Sequence, residues 1–397
     1  MPRIGCVLSF WVILLFPQYV NAAIESNEFS PIEKVFTFDL HGSPHSASSL
    51  FLSSRTLLNE LEDYLIPEEQ RETTWAQVLS SLINFCISER LSTINHEIFG
   101  HGFRGRSLDG VSVDKYKFSL FGKAATHYHY LWQQPIDVDL LITIAGTEAN
   151  QVLAREIMFK HFKYRTIDIR TYFLFFAAFF DLTNYILTTS SSEEERDNPG
   201  NDIMSYIKEL NKKYDSDQMN LDQLSNALLP VLLNPLWALM VYFLTDSPFT
   251  MPYVVWDDIA YMPLLRPGLS PFGITYYLDN FLGYYEKTFL VSVYSGRAPL
   301  SGVYGGLDFK TDGLWSYEAY ALDIQTNLWY QPSLQLALSD EVEDKNSWGG
   351  LVGISNKYML TPNFSLHMGL SYKTKGFLQG MIAQKGWIWE GGVSFRY

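Results

Sequence analysis

The stretch Asn95-His96-Glu97-Ile98-Phe99-Gly100-His101-Gly102 places two histidines and a carboxylate together at the end of an apolar helical pattern. Neutral imidazoles such as those of His96 and His101 bind divalent metals, and Glu97 can take a proton from a water molecule that a metal has activated. These residue types together are typical of metal-dependent hydrolysis. A simpler interpretation also fits, in which both histidines are ordinary helix-end residues favoured by the helix dipole.

The spacing of the two histidines is unusual for a metal-binding helix. In the familiar zinc motif the histidines are four residues apart, which puts them on one helical face. Here they are five residues apart, which leaves the side chains about 140° apart on a regular helix. We therefore predict that the helix contains an extra residue as a π-bulge or unwinds at its end, with the distortion near Gly100.

This motif resembles the His-Glu-x-x-Gly-His helix of the dipeptidyl peptidase III family of zinc peptidases. The resemblance implies that His96 and His101 bind Zn²⁺, that Glu97 is the general base, and that a glutamate from a later helix is the third ligand. The matching glutamate is Glu148, although Thr147 stands where the family has a further acidic residue. Since only these short stretches match, the resemblance implies the chemistry and not the fold or the substrate.

The residues around Glu148 leave its role open. It interrupts a strongly apolar helical pattern over residues 138–162, and a buried carboxylate is costly unless it has a partner. The partner could be a metal, or it could be Arg155 in a structural ion pair.

Residues 115–132 alternate between apolar and polar positions around Gly122-Lys123, which predicts a β-hairpin. His127 and His129 then share one face of its second strand. We include His129 as a candidate catalytic residue, because a histidine beside a hydrolytic site can stabilise an oxyanion. Alternatively, both histidines face solvent or a barrel-like interior.

The composition indicates contact with a membrane and excludes one class of partner. Of the 397 residues, 16% are aromatic, and aromatic side chains favour membrane interfaces. The net charge of −14 argues against a nucleic-acid partner, which requires a basic face.

Residues 1–22 have the pattern of a secretory signal peptide: Arg3, an apolar core and a small-residue cleavage site. A retained anchor helix is the alternative, although the apolar run is short for one. Removal of Cys6 with this peptide would leave Cys86 as the single thiol, in an apolar stripe that predicts a core position.

Two further stretches, 172–188 and 227–244, are each about long enough to cross a bilayer. Polar residues interrupt both, so they could be membrane helices facing a polar interior, buried core helices or interfacial helices.

From about Tyr284 onwards the apolar period changes to two, with turn residues between segments, which predicts roughly eight antiparallel strands. The chain ends with Trp387, Trp389, Val393, Phe395 and Tyr397 on one strand face. This ending resembles the C-terminal aromatic signature of bacterial outer-membrane β-barrels. A periplasmic β-sandwich with an aromatic last strand is the alternative.

The sequence thus predicts an α+β protein: a signal peptide (1–22), an α-rich region with a metal site (23–270) and an antiparallel β-barrel-like domain (271–397). The expected function is that of a zinc-dependent hydrolase of the cell envelope, a metallopeptidase acting on a peptide or protein at the bacterial outer membrane. The periplasm and inner membrane are alternative locations. Two other functions remain open: a non-catalytic outer-membrane barrel, structural or channel-like, and a helical intramembrane metalloprotease.

Overall fold

The computed structural model describes residues 33–67, 73–119, 124–164, 167–190, 200–217, 219–231, 234, 253–256, 258–285, 287–341 and 345–396. The expected signal peptide (1–22) and most of the apolar stretch 227–244 lie outside these residues.

Helices and one hairpin occupy the first part of the described chain. A seven-residue π-helical segment, Asn95–His101, continues directly from the end of α2. The helices are α1 (Pro44–Leu65), α2 (Thr74–Ile94), α3 (Gly102–Ser107), α4 (Ile136–Phe162), α5 (Ile169–Thr188), α6 (Asp202–Tyr214) and α7 (Leu221–Ala227). The hairpin consists of β2 (Val111–Lys117) and β3 (Ala125–Tyr130), close to the expected positions.

An antiparallel sheet of eleven strands forms the second layer. Its strands are β1 (Lys34–Asp39), β4 (Val254–Trp256), β5 (Ile259–Ser270), β6 (Gly273–Tyr284), β7 (Lys287–Ala298), β8 (Gly302–Asp312), β9 (Trp315–Tyr317), β10 (Tyr320–Pro332), β11 (Asn346–Thr361), β12 (Phe364–Lys373) and β13 (Gly386–Phe395). From β5 to β13 the long strands pair mainly with their neighbours in sequence, as in a meander.

Three expectations about this sheet are corrected. In the described chain the sheet is open, with β1 and β4 at its two ends, so it is not closed into a barrel. The strands begin at Val254 rather than near Tyr284, so β4, β5 and most of β6 precede the expected start. The region expected to be α-rich (23–270) also contributes β1, which pairs with β13. The sheet therefore takes strands from both sides of the expected boundary at residue 270.

Helix α4 lies against the inner face of the sheet. Its apolar side chains share one core with strand residues, among them Ile157, Phe159, Met262 and Phe281. Polar contacts fix its position as well: Arg155 Nη1 lies 3.0 Å from Asp308 Oδ2. The helix that follows the hairpin is thus held by the sheet on one side and can support a site on the other.

The outer face of the sheet is apolar, and beside its apolar core the inner face carries a buried polar row. Asp279, Ser292, Asp308 and Asn327 form a row across β6, β7, β8 and β10, and all four are buried. The next row, one residue away on each strand, is Leu278, Val293, Leu307 and Leu328, and all four are exposed. Polar groups therefore lie inside and apolar side chains outside.

One described helix, α5, is long and apolar enough to cross a membrane by length and composition, and most of its apolar window is buried against the rest of the protein.

Candidate metal centre

The π-helical segment brings His96 and His101 to one side of the chain. In a π-helix the backbone bonds run from residue i to i+5, so residues five apart lie on adjacent turns. The distortion that the five-residue spacing required is therefore present, and it includes Gly100. A β-carbon on Gly100 would lie 2.6 Å from the carbonyl oxygen of Ala145, so glycine is what allows this segment to pack closely on α4.

Asp202, the first residue of α6, completes a cluster with the two histidines. His96 Nε2 lies 3.2 Å from His101 Nε2. Asp202 Oδ2 lies 3.2 Å from His96 Nε2 and 3.1 Å from His101 Nε2. These three ligand atoms form a nearly equilateral triangle, and the three residues are hereafter called the His–His–Asp cluster.

The other ring nitrogens determine which atoms the cluster presents. His101 Nδ1 lies 2.8 Å from the carbonyl oxygen of Ile142. Because a carbonyl only accepts, Nδ1 carries the proton, and in the neutral ring Nε2 is an acceptor. His96 Nδ1 similarly lies 3.2 Å from Asp181 Oδ2. Such partners fix the orientation of metal-binding histidines in known sites.

Gly146 of α4 leaves the space that His96 occupies. A β-carbon there would overlap the imidazole around Nε2. The imidazole thus reaches the cluster because two glycines, Gly100 and Gly146, let the π-helical segment and α4 approach each other.

The electrostatics of the cluster favour positive charge. Burial would lower the pKa of His96, but the carboxylates of Asp181 and Asp202 outweigh it and hold the pKa well above its usual value. Burial would also lower the pKa of His101, but the carboxylate of Asp202 outweighs it and raises the pKa above its usual value. Burial would raise the pKa of Asp202, yet the two imidazoles lower it strongly. The cluster therefore attracts a cation, either protons or a metal ion.

Glu97 is buried next to the cluster, close enough to His101 to contribute to its raised pKa. The hydroxyl of Thr126 on β3 donates to Glu97, with Oγ1 2.7 Å from Oε2 and 2.9 Å from the backbone oxygen. The hairpin therefore orients the carboxylate expected to act as a base.

Glu148, the expected third ligand, lies against Arg104 instead of beside the two histidines. Its Oε1 lies 2.5 Å from Arg104 Nη2 and accepts from the backbone N–H of Gly380 at 2.6 Å, and its Oε2 lies 3.2 Å from Arg104 Nε. Arg155, the other expected partner, pairs with Asp308 instead. Both oxygens of Glu148 thus already have hydrogen-bond partners within the protein. The carboxylate that lies beside the two histidines is that of Asp202.

His129 is also separate from the cluster. It is half exposed and lies 2.7 Å from Asp114 Oδ1 across the hairpin. Its strand does approach the site, but through the opposite face, which carries Thr126. Since alternate residues of a strand point to opposite faces, the face with His127 and His129 is turned away from Glu97.

Sequence reasoning did not identify Asp202 or the orienting residue Asp181. Asp181 gave a signal, because it is a charged residue inside an otherwise apolar helix. The sequence around Asp202 contains no comparable signal. It shows only that Asp202 follows Asn201, whose side chain caps α6 by accepting from Met204 N–H. A helix-capping segment of this kind is common and does not predict a ligand.

Comparisons with known proteins place the chain in no family. No protein-family model and no curated protein matches it. Among solved structures, one match is titled "NanC porin structure in rhombohedral crystal form", with 15% sequence identity and a TM-score of 0.25. The match covers 36% of this chain and 76% of that chain. A similarity this low supports no conclusion about the fold or the function.

Proposed function

We propose that the protein is a metal-dependent hydrolase of the cell envelope whose metal is held by the His–His–Asp cluster. The observation that carries this proposal is the 3.2 Å separation of His96 Nε2 and His101 Nε2. If both rings are neutral, two lone pairs face each other at this distance, with the carboxylate oxygen of Asp202 beside both. A cation between the three atoms removes this repulsion, and all three atoms are of types that bind metals.

The cluster fits zinc in composition and size. Zinc binds histidine nitrogen and carboxylate oxygen at about 2.0–2.2 Å in a tetrahedron, for which the ligand atoms are about 3.3–3.6 Å apart. The three separations of 3.1 to 3.2 Å are slightly shorter than this range, so the ligand atoms need to move apart by only a few tenths of an ångström. Three protein ligands also leave one position for water or substrate, as in catalytic zinc sites.

The surrounding residues have defined roles in such a reaction. A zinc ion in the cluster would acidify a water molecule and polarise a scissile carbonyl group. Glu97 takes the proton of the attacking water and returns it to the leaving amine. Thr126 keeps the carboxylate of Glu97 turned in the required direction, while Asp181 and the carbonyl of Ile142 hold the two imidazoles. A peptide or another amide is the proposed substrate class.

The test is a comparison of metal content and hydrolysis in purified variants. We expect about one zinc per wild-type chain and a large loss of zinc in Asp202→Asn, which keeps the shape of the side chain but removes its charge. Glu97→Gln should keep the zinc and lose the hydrolysis of a peptide library. Glu148→Gln is the matched carboxamide control, and it should keep its zinc.

Two outcomes would reject parts of this proposal. Equal, negligible metal in wild type and Asp202→Asn would reject the metal centre. Full hydrolysis by Glu97→Gln would reject Glu97 as the base.

The location at a membrane is proposed from the outer face of the sheet. Exposed apolar side chains cover its strands while charged and polar side chains point inward, which is the pattern of a strand layer in lipid. We propose the bacterial outer membrane. Recovery of the protein in the soluble periplasmic fraction or with inner membranes would contradict this location.

The same polarity favours a second candidate function, that of a non-catalytic outer-membrane protein. In that case the cluster is a structural group in which protonated imidazoles pair with Asp181 and Asp202, as the raised pKa values of both histidines allow. The metal measurement separates the two functions, because only the hydrolase requires a bound zinc.

A further inference from the structure

Helix α2 exposes apolar residues and buries polar ones. Trp75, Val78, Leu79, Leu82 and Ile83 recur at helical spacing, and their exposed fractions run from 50% for Ile83 to 85% for Trp75. Cys86, expected in the core, is exposed on this helix too. Over residues 74–88 the sequence contains no Asp, Glu, Lys or Arg. In a helix that faces water, the polar residues would occupy the exposed side instead.

The buried side of α2 is polar and contacts α1 through hydrogen bonds. Asn84 is 2% exposed and Ser88 is 0% exposed. Asn84 accepts from Arg55 of α1 and donates to Glu62 Oε2 at 3.1 Å. Ser80 donates to Glu62 Oε1 at 2.6 Å. Hydrogen bonds between polar side chains are a common means of association between helices that are surrounded by lipid.

Helix α1 shows part of this inversion. Besides the core residues Phe51 and Leu52, it buries Ser53, Arg55, Thr56 and Asn59, and Asn59 donates to Thr171 of α5 at 3.1 Å. Leu61 is among its exposed residues, with half of its surface accessible. The contact between α1 and α2 is therefore polar, while the outer side of α2 and the adjoining Leu61 of α1 are apolar.

Helix α1 adjoins the sheet, whose outer face is also apolar. The backbone N–H of Val35 on β1 donates to Ser53 Oγ of α1 at 2.8 Å. Strand β1 pairs with β13, on which Trp387 and Trp389 are exposed. The apolar outer surface of the sheet therefore continues in space from β13 through β1 to α1.

We infer that the apolar helical face, formed by Leu61 of α1 with Trp75, Val78, Leu79, Leu82 and Ile83 of α2, contacts the hydrocarbon of a lipid bilayer. In water, this apolar surface over about two and a half turns of α2 would remain exposed to solvent. Lipid covers it without requiring a complementary partner, and the polar contacts between α1 and α2 are stronger where water is excluded. This inference is independent of metal binding, and it assigns a membrane surface to the helices as well as to the strands.

Spin-label accessibility tests this inference at single positions. In the full chain carrying Cys6→Ser, a nitroxide is attached to Cys86, or to Leu82→Cys with Cys86→Ser, and the protein is reconstituted in phosphatidylcholine vesicles. Collision with oxygen, which concentrates in hydrocarbon, is compared with collision with a water-soluble nickel chelate. We expect high oxygen and low nickel accessibility at both positions.

Two labelled positions outside the face serve as controls in the same background. Lys212→Cys replaces a side chain that is 66% exposed on α6. Leu338→Cys replaces a leucine that is 56% exposed, nearly the same as the 59% of Leu82. Both should show high nickel accessibility.

Every other pattern overturns the inference. Nickel accessibility at positions 82 and 86 equal to that of the controls would mean that the face is in water. Low accessibility to both reagents would mean that protein covers it, either a second copy or another part of the chain. Normal zinc content in the labelled proteins would show that such a result does not concern the metal centre.

Discussion

Two carboxylates near the π-helical segment, those of Glu148 and Asp202, differ in whether their partners leave room for a cation. Glu148 has a guanidinium across both oxygens and a backbone N–H on one of them. Asp202 meets two imidazole nitrogens whose other nitrogens are already engaged. The first carboxylate is neutralised within the protein, whereas the second leaves a place for a cation.

A carboxylate close to the two histidines is therefore not identified as a ligand by its position alone. The side chain of Glu148 is 2% exposed and that of Asp202 is 20% exposed, and both lie within reach of the segment that contains the histidines. An arginine is always charged and only donates hydrogen bonds, so a carboxylate paired with it has no need of a further cation. A neutral histidine whose Nδ1 is already hydrogen-bonded presents a lone pair at Nε2, so a carboxylate beside it can share a metal ion with it. The residue that a carboxylate meets, arginine or histidine, therefore decides whether it forms a structural ion pair or part of a metal site.

The largest effect is expected from removing one member of the closed pair. Glu148→Ala leaves the buried Arg104 guanidinium without its partner and should lower the free energy of unfolding by about 3–5 kcal/mol. Urea unfolding in detergent measures this loss. The double variant Arg104→Met/Glu148→Leu should regain most of the stability, because an apolar pair leaves no buried charge. Loss of zinc without loss of stability in Glu148→Ala would return Glu148 to the list of ligands.

A smaller effect is expected at the group that orients His96. Asp181→Asn keeps the size of the side chain but weakens its hydrogen bond to Nδ1, and it should reduce zinc affinity about 10–100-fold. Competition with a chromogenic chelator measures this affinity. Asp168→Asn is the matched control at the other end of α5, where the carboxylate pairs with Arg170, and its zinc affinity should equal that of wild type. Unchanged affinity in Asp181→Asn would reject the orienting role.

The smallest effect is expected from the hydroxyl that holds Glu97. Thr126→Val removes one hydrogen bond, worth about 1 kcal/mol, and should slow hydrolysis about fivefold while zinc content stays the same. Thr126→Ser restores the hydroxyl and should recover the rate, which separates orientation of the base from packing of the hairpin. A rate in Thr126→Val equal to that of wild type would contradict this role for Thr126.

Local sequence was sufficient for several features of the fold. Helix α4, helix α5 and the β2–β3 hairpin lie close to their expected positions, because their periodicity is a property of neighbouring residues. Strand β1 was not predicted from the sequence, because its residues pair with β13 at the far end of the chain. The open edges of the sheet could not be predicted either, because the alternation of residues along a strand does not show which strands pair with each other.

The direction of the apolar face on α2 was also beyond local sequence. The periodic positions from Trp75 to Ile83 predict a helix correctly, and the same periodicity led to the expectation that Cys86 lies in the core. Periodicity shows that one side of a helix differs from the other. It does not show which side meets the protein, because a helix in lipid and a helix in water give the same period with opposite orientation.

Within the site, the two histidines, the adjacent glutamate and the need for a helical distortion could all be predicted from the sequence, because they follow from residue type and from the angle between positions five apart. The third member of the cluster could be identified only in the folded protein, because Asp202 is 101 residues from His101 along the chain and reaches it through the packing of α4, α5 and α6. Contacts of this kind depend on which helices lie side by side, and that is set by the core as a whole.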